Sequence, residues 1–139
     1  MKLYVNLSDR TITASPRTRA PIQRISARRG ETVTIDVCFS IHGRTGPLPA
    51  GSSIVLAAYN NPVSRTPLVL AGAYDSVIGR GTSTTYRFNA VSFGSTGLQA
   101  LLGTQKQVVL NFEVRVGYEY AQVVTHPVQL VITQAAQVT

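Results

Sequence analysis

The sequence predicts an all-β fold: an immunoglobulin-like antiparallel β-sandwich of about eight strands, with one short helix at about residues 95–103. Three observations carry this expectation. The 139-residue chain holds 17 Val, 8 Ile and 15 Thr, and β-branched side chains lose rotamer freedom in helices but fit pleated, half-buried surfaces. Two long segments place an apolar residue at every second position, which is the period of a strand. Between the apolar runs, 11 Gly and 7 Pro fall at the spacing of turns.

Taken in order, Leu3, Val5 and Leu7 alternate with Lys2, Tyr4 and Asn6 at the start of the chain. The stretch 11–23 has few apolar residues and carries Pro16 and Pro21. Proline cannot donate to a ladder, so this stretch reads as an extended arm or edge segment. From Thr32 to Ile41, Val33, Ile35, Val37, Phe39 and Ile41 face one way, while Asp36 and Cys38 face the other. A turn-rich loop over 42–51 leads to a short apolar strand, Ile54 to Tyr59, closed by Asn60, Asn61 and Pro62. Pro67 to Tyr74 reads as a strand, residues 79–81 as a turn, and Thr84, Tyr86 and Phe88 as one face of the next strand. Val108, Leu110, Phe112, Val114 and Val116 alternate against Val109, Asn111, Glu113 and Arg115. Two last strands follow, Tyr118 to Thr125 and Val128 to Ile132; His126-Pro127 bends the chain between them or starts the second.

One helix interrupts the series. Thr96 is placed to cap its N-terminus, with Gln99 reaching back in a capping box. Leu98, Leu101 and Leu102 form its apolar face, and Gly103 suits the positive φ that ends a helix. At about two turns it is too short to persist alone and must pack as a plug at one end of the sandwich.

Charge divides the chain. The formal net charge is +7. Residues 1–30 hold seven basic residues against Asp9, whereas 31–139 hold six basic against five acidic. The expected organisation is therefore a basic N-terminal arm or edge segment over 1–21 and a single sandwich domain over 22–139. Arg17, Arg19, Arg24, Arg28 and Arg29 are the candidate partner-binding charges, since Arg pairs bidentately with carboxylates and phosphates. Ile12 and Ile22, with Ile25, are the candidate apolar anchors. Residues 22–29 also read as the first sandwich strand with its Arg side chains in solvent.

Catalytic and metal chemistry find little to work with. A lone cysteine, Cys38, allows no intrachain disulfide. His42 and His126 stand far apart in sequence, without the i, i+4 spacing of a helical metal pair. Asp36 and Glu113 fall on the non-core faces of two strands and would serve as an acid–base pair only if those strands were neighbours. Residues 79–81 lack the Lys-Ser/Thr of a phosphate loop. No apolar run approaches the roughly 18 residues of a membrane span. The expectation is a protein without enzymatic activity, cofactor or metal, and without a membrane partner.

The order of four segments carries a resemblance. ARRGETVTIDVCF (27–39), PAGSSIVLAAY (49–59), Tyr86-Arg87-Phe88 with the Leu98–Leu102 helix, and VLNFEVRVGYEYAQVVTHPVQLVIT (109–133) occur in sequence. Together they resemble the small β-sandwich proteins encoded among bacteriophage and prophage tail genes, and the N-terminal domain of phage baseplate upper proteins. The resemblance spans about residues 22–133 and implies a multi-copy structural part of a virion. Such a part would be assembled in the host cytoplasm and bind other virion proteins through an acidic surface or an exposed sheet edge. It implies no catalytic residue; Gly30, Pro49 and Gly51 would shape turns, and the three helix leucines would plug the sandwich. Residues 133–136 depart from the family's usual terminus, and the Arg-rich start is longer than usual. Two other readings stand beside it. One is a nucleic-acid-binding module using the Arg-rich N-terminus. The other is a carbohydrate-binding or adhesive sandwich stacking on Tyr59, Tyr74, Tyr118 and Tyr120.

Overall fold

Alternation becomes strands, and the strands sort into two facing sheets. The computed structural model describes residues 1–15, 20–41, 44–60, 66–118 and 121–134. Its strands are β1 (Lys2–Asn6), β2 (Thr11–Thr13), β3 (Arg24–Arg28), β4 (Thr32–Ile41), β5 (Arg44–Thr45) and β6 (Ser53–Tyr59). They continue with β7 (Pro67–Ala71), β8 (Ser76–Ile78), β9 (Thr85–Ser92), β10 (Gln107–Tyr118), β11 (Ala121–Val124) and β12 (Val128–Thr133). The single α-helix among the described residues is α1 (Thr96–Leu102). The first sheet runs β2-β1-β4-β9-β8, with β5 on the end of β4; the second runs β3-β12-β10-β6-β7, with β11 on the end of β10.

The inner faces are the ones the alternation marks. Ile35, Val37 and Phe39 of β4 belong to the same buried core as Leu110, Phe112 and Val114 of β10. Val33 and Val108, at the ends of those runs, are half-buried. Burying each large apolar side chain stabilises the fold by about 1.5–3 kcal/mol relative to exposure. Leu98 and Leu102 of α1 are buried and Leu101 packs half-buried against the core, so the helix is the plug its length requires. Its cap lies one residue before the expected Thr96: Leu98 N–H donates to Ser95 Oγ at 3.2 Å. Gln99 is drawn elsewhere, accepting from Arg29 Nε at 2.9 Å, so no capping box forms. Gly103 ends the helix at φ 51, and Gly30, at φ 78, turns the chain from β3 into β4.

Three expectations are corrected. The sandwich is not purely antiparallel: β1 pairs with β4, and β3 with β12, in parallel. Side-chain alternation is the same in both ladder types and does not distinguish them. The chain is also divided into more pieces than eight strands. The expected Pro67–Tyr74 strand stops at Ala71, β8 is added after it, and Tyr74 instead packs edge-on against Tyr86, 5.0 Å between ring centroids. Finally, residues 1–15 are no free arm. β1 sits between β2 and β4, and Leu3, Val5, Leu7 and Ile12 are core residues. Their alternation buries enough apolar surface to outweigh the local charge. The edge part of the expectation does describe β2, which ends the first sheet.

Candidate functional site

The two carboxylates singled out in the sequence are kept apart. Asp36 lies on β4 in the first sheet and Glu113 on β10 in the second, so they form no acid–base pair. Each takes an arginine. Arg87, directly opposite on β9, donates Nε to Asp36 Oδ1 at 2.8 Å and NH2 to Oδ2 at 3.1 Å. Arg115 Nε donates to Glu113 Oε2 at 2.8 Å. Glu113 is only 1% exposed, so the non-core face on which the alternation places it does not meet solvent; the outer face of the second sheet is covered there, as the burial of Ala57 and Tyr59 on neighbouring β6 also shows.

The hydrogen bonds from Arg87 hold the Asp36 carboxyl below the usual aspartate value of 3.8, and burial offsets part of that. A carboxyl lowered in the folded state adds stability above its unfolded value, and that stability drains as pH falls through the folded one. Asp36→Asn is therefore expected to lower the melting temperature at pH 6, with the gap to the unmodified protein narrowing as pH falls below 3.8. A gap that stays constant across a pH series of thermal melts would show that the pair contributes nothing through charge.

Other candidate groups are quiet. Cys38 is buried, its Sγ 3.3 Å from Thr85 Oγ1. Among the described residues no group of three or more His, Cys, Asp or Glu is placed to hold a metal. Tyr59 is buried and Tyr74 packs on Tyr86, so these two offer no common stacking face. His42 and Tyr120 lie outside the described residues.

The predicted docking residues separate into distinct environments. Arg17 and Arg19 lie outside the described residues. Ile12 is fully buried and Ile25 nearly so, which removes them as anchors for a partner. Arg29 is turned onto the protein itself, with Nε on Gln99 Oε1 and NH1 on Gln134 Oε1 at 3.0 Å, and it ties the β3–β4 turn to the helix and the end of β12. Arg24 and Arg28 remain exposed at the two ends of β3, an edge strand. Ile22 is half-buried against the core.

What the fold does gather is a cleft beside Ile22. Residues 11–12, 21–23 and 126–129 line a cavity of about 360 Å3 where the edge of the first sheet meets the start of β12. Its walls are tied by backbone hydrogen bonds: Ile22 N–H to Ile12 O at 2.8 Å, Gln129 N–H to Gln23 O at 3.3 Å, and His126 N–H to Arg10 O at 2.8 Å. The last of these brings Arg10 and His126 together, and neither is among the docking residues that the sequence predicts. A weak signal for Arg10 exists in Asn6-Leu7-Ser8-Asp9. Asn6 Oδ1 accepts from both Ser8 and Asp9 N–H and builds the turn that ends at Arg10.

A second open feature is the far edge of the first sheet. All three residues of β8 are exposed, Val77 at 49% and Ile78 at 38%. Such an edge presents unpaired backbone groups along with apolar side chains.

Compared with protein-family models and with curated proteins, the chain matches none.

Proposed function

We propose that this protein is a non-enzymatic structural component of a bacteriophage virion, acting through protein–protein contacts in a multi-copy assembly. Its partners on this reading are other virion proteins, and its place is the particle. The observation that carries the reading is the exposed apolar edge strand β8, with Val77 and Ile78 in solvent. An uncovered edge is a template for strand addition, and β8, guarded by its three-residue length, carries neither the Lys nor the Pro that proteins also use to blunt such edges. The segment order that resembles phage tail sandwich domains gives that contact a setting, although a fold alone hosts many functions.

The test uses an antibody to the protein on density-gradient fractions of a lysate from cells producing the particles. The protein should sediment with the particles, and Val77→Lys with Ile78→Lys should leave it at the top of the gradient while shifting its melting temperature by less than about 3 °C, as exposed substitutions do. Unmodified protein that never sediments with particles overturns the virion assignment. Normal sedimentation of the variant overturns the role of β8.

A further inference from the structure

We infer that the cleft between β2, residues 21–23 and the β11–β12 connection receives a carboxylate side chain from an acidic segment of a partner protein. The inference rests on the reading that the protein works through protein contacts, and it names the chemistry of one of them. Charge is the first argument. Arg10 is held to lining residue His126 by a backbone hydrogen bond, Arg24 is paired with lining residue Gln129, and Arg10, Arg24 and His126 are exposed; none of the described lining residues is acidic. The ion pairs among the described residues are those of Arg87 and Arg115, so neither Arg10 nor Arg24 has its charge matched there.

The walls fit the same guest. Pro21, Ile22 and Pro127 offer apolar surface to the methylenes of an acidic side chain, and the amides of Gln23 and Gln129 offer donors. At about 360 Å3 the cavity is near the lower end for ligand pockets, a size for one or two side chains. Among the described residues no Phe, Tyr or Trp lines it, whereas single-stranded nucleic acid sites combine basic grooves with large stacking rings.

The rim is also held in place. Arg10 sits at φ 56, a left-handed conformation uncommon for a residue with a side chain. Its carbonyl is fixed there by the His126 N–H at 2.8 Å, which locks the β1–β2 turn to the β11–β12 connection. This strain supplies a variant that separates binding from folding. Arg10→Gly removes the guanidinium but places at φ 56 the residue that accepts it most readily.

Fluorescence anisotropy with a labelled short peptide of alternating Glu and Ala reads the interaction on the full-length protein. Its Gln-for-Glu counterpart and a labelled single-stranded deoxythymidine oligomer serve as comparisons. The acidic peptide should bind and the Gln peptide should not. Arg10→Gly and Arg24→Gln should each weaken binding about fivefold, the worth of one exposed charged contact, with unchanged melting temperatures. Arg80→Gln, which removes the same net charge near the opposite edge of the first sheet, should leave binding as it was. Equal binding of the Gln peptide, equal weakening by Arg80→Gln, or a preference for the oligomer lost with the same two arginines each overturns the inference. Peptide binding is read on the isolated protein and sedimentation on lysates, so either can fail while the other stands.

Discussion

Phe112→Ala is expected to destabilise the protein by about 3–5 kcal/mol, the cost of emptying a well-packed aromatic site. Phe112 lies on the inner face of β10, 2% exposed, between Ala58 of β6 and Val128 of β12. Ala58 is too small to refill the space, so the cavity persists. In a denaturant titration the midpoint should fall with the slope unchanged, and the melting temperature should drop by roughly 10–17 °C. A loss below about 1 kcal/mol would mean that the two sheets do not close over this residue.

Arg115→Met is expected to cost about 2–4 kcal/mol. Removing one partner of a buried pair leaves an uncompensated charge, worth about 3–5 kcal/mol when both groups are fully buried. Here the Arg115 side chain is 25% exposed against 2% for Glu113, so water discounts the effect. The double variant Glu113→Leu with Arg115→Met should regain most of the loss, because an apolar pair of similar volume carries no desolvation penalty. A double variant less stable than Arg115→Met alone would mean that the buried carboxylate is itself stabilising, and that desolvation of the lone charge is not the source of the loss.

Glu113 also shows where reading from sequence stops. The run Val108 to Val116 identifies which residues share a face, and Leu110, Phe112 and Val114 are buried as that alternation requires. It does not reveal whether the other face meets solvent. That depends on what other segments lay over it, and Glu113, Ala57 and Tyr59 are buried on that side. The same limit applies at the start of the chain. Leu3 and Val5 alternate plainly, yet charge and proline content draw the whole stretch into an arm. Only the pairing of Val5 with Phe39 and with Ile12 shows it to be interior. β8 escapes a reading by periodicity because three residues are too short for a periodic signal. The cleft is hidden for another reason: Arg10 and His126 are neighbours solely through a backbone hydrogen bond between distant parts of the chain.

The parallel pairing of β3 with β12 governs when the protein becomes whole. Thr133 Oγ1 reaches back 106 positions to Ala27 O. At about 5–20 residues per second, a ribosome delivers β12 roughly 5–20 s after β3. Through that interval Ile25 and Ala27 have no strand beside them, and contacts of such long sequence separation form slowly even once the chain is free. The first sheet, whose strands all precede residue 93, is complete well before the second can close. The nascent chain thus spends seconds as a half-built sandwich with its Arg24–Arg28 edge uncovered, the period in which chaperones would have reason to hold it.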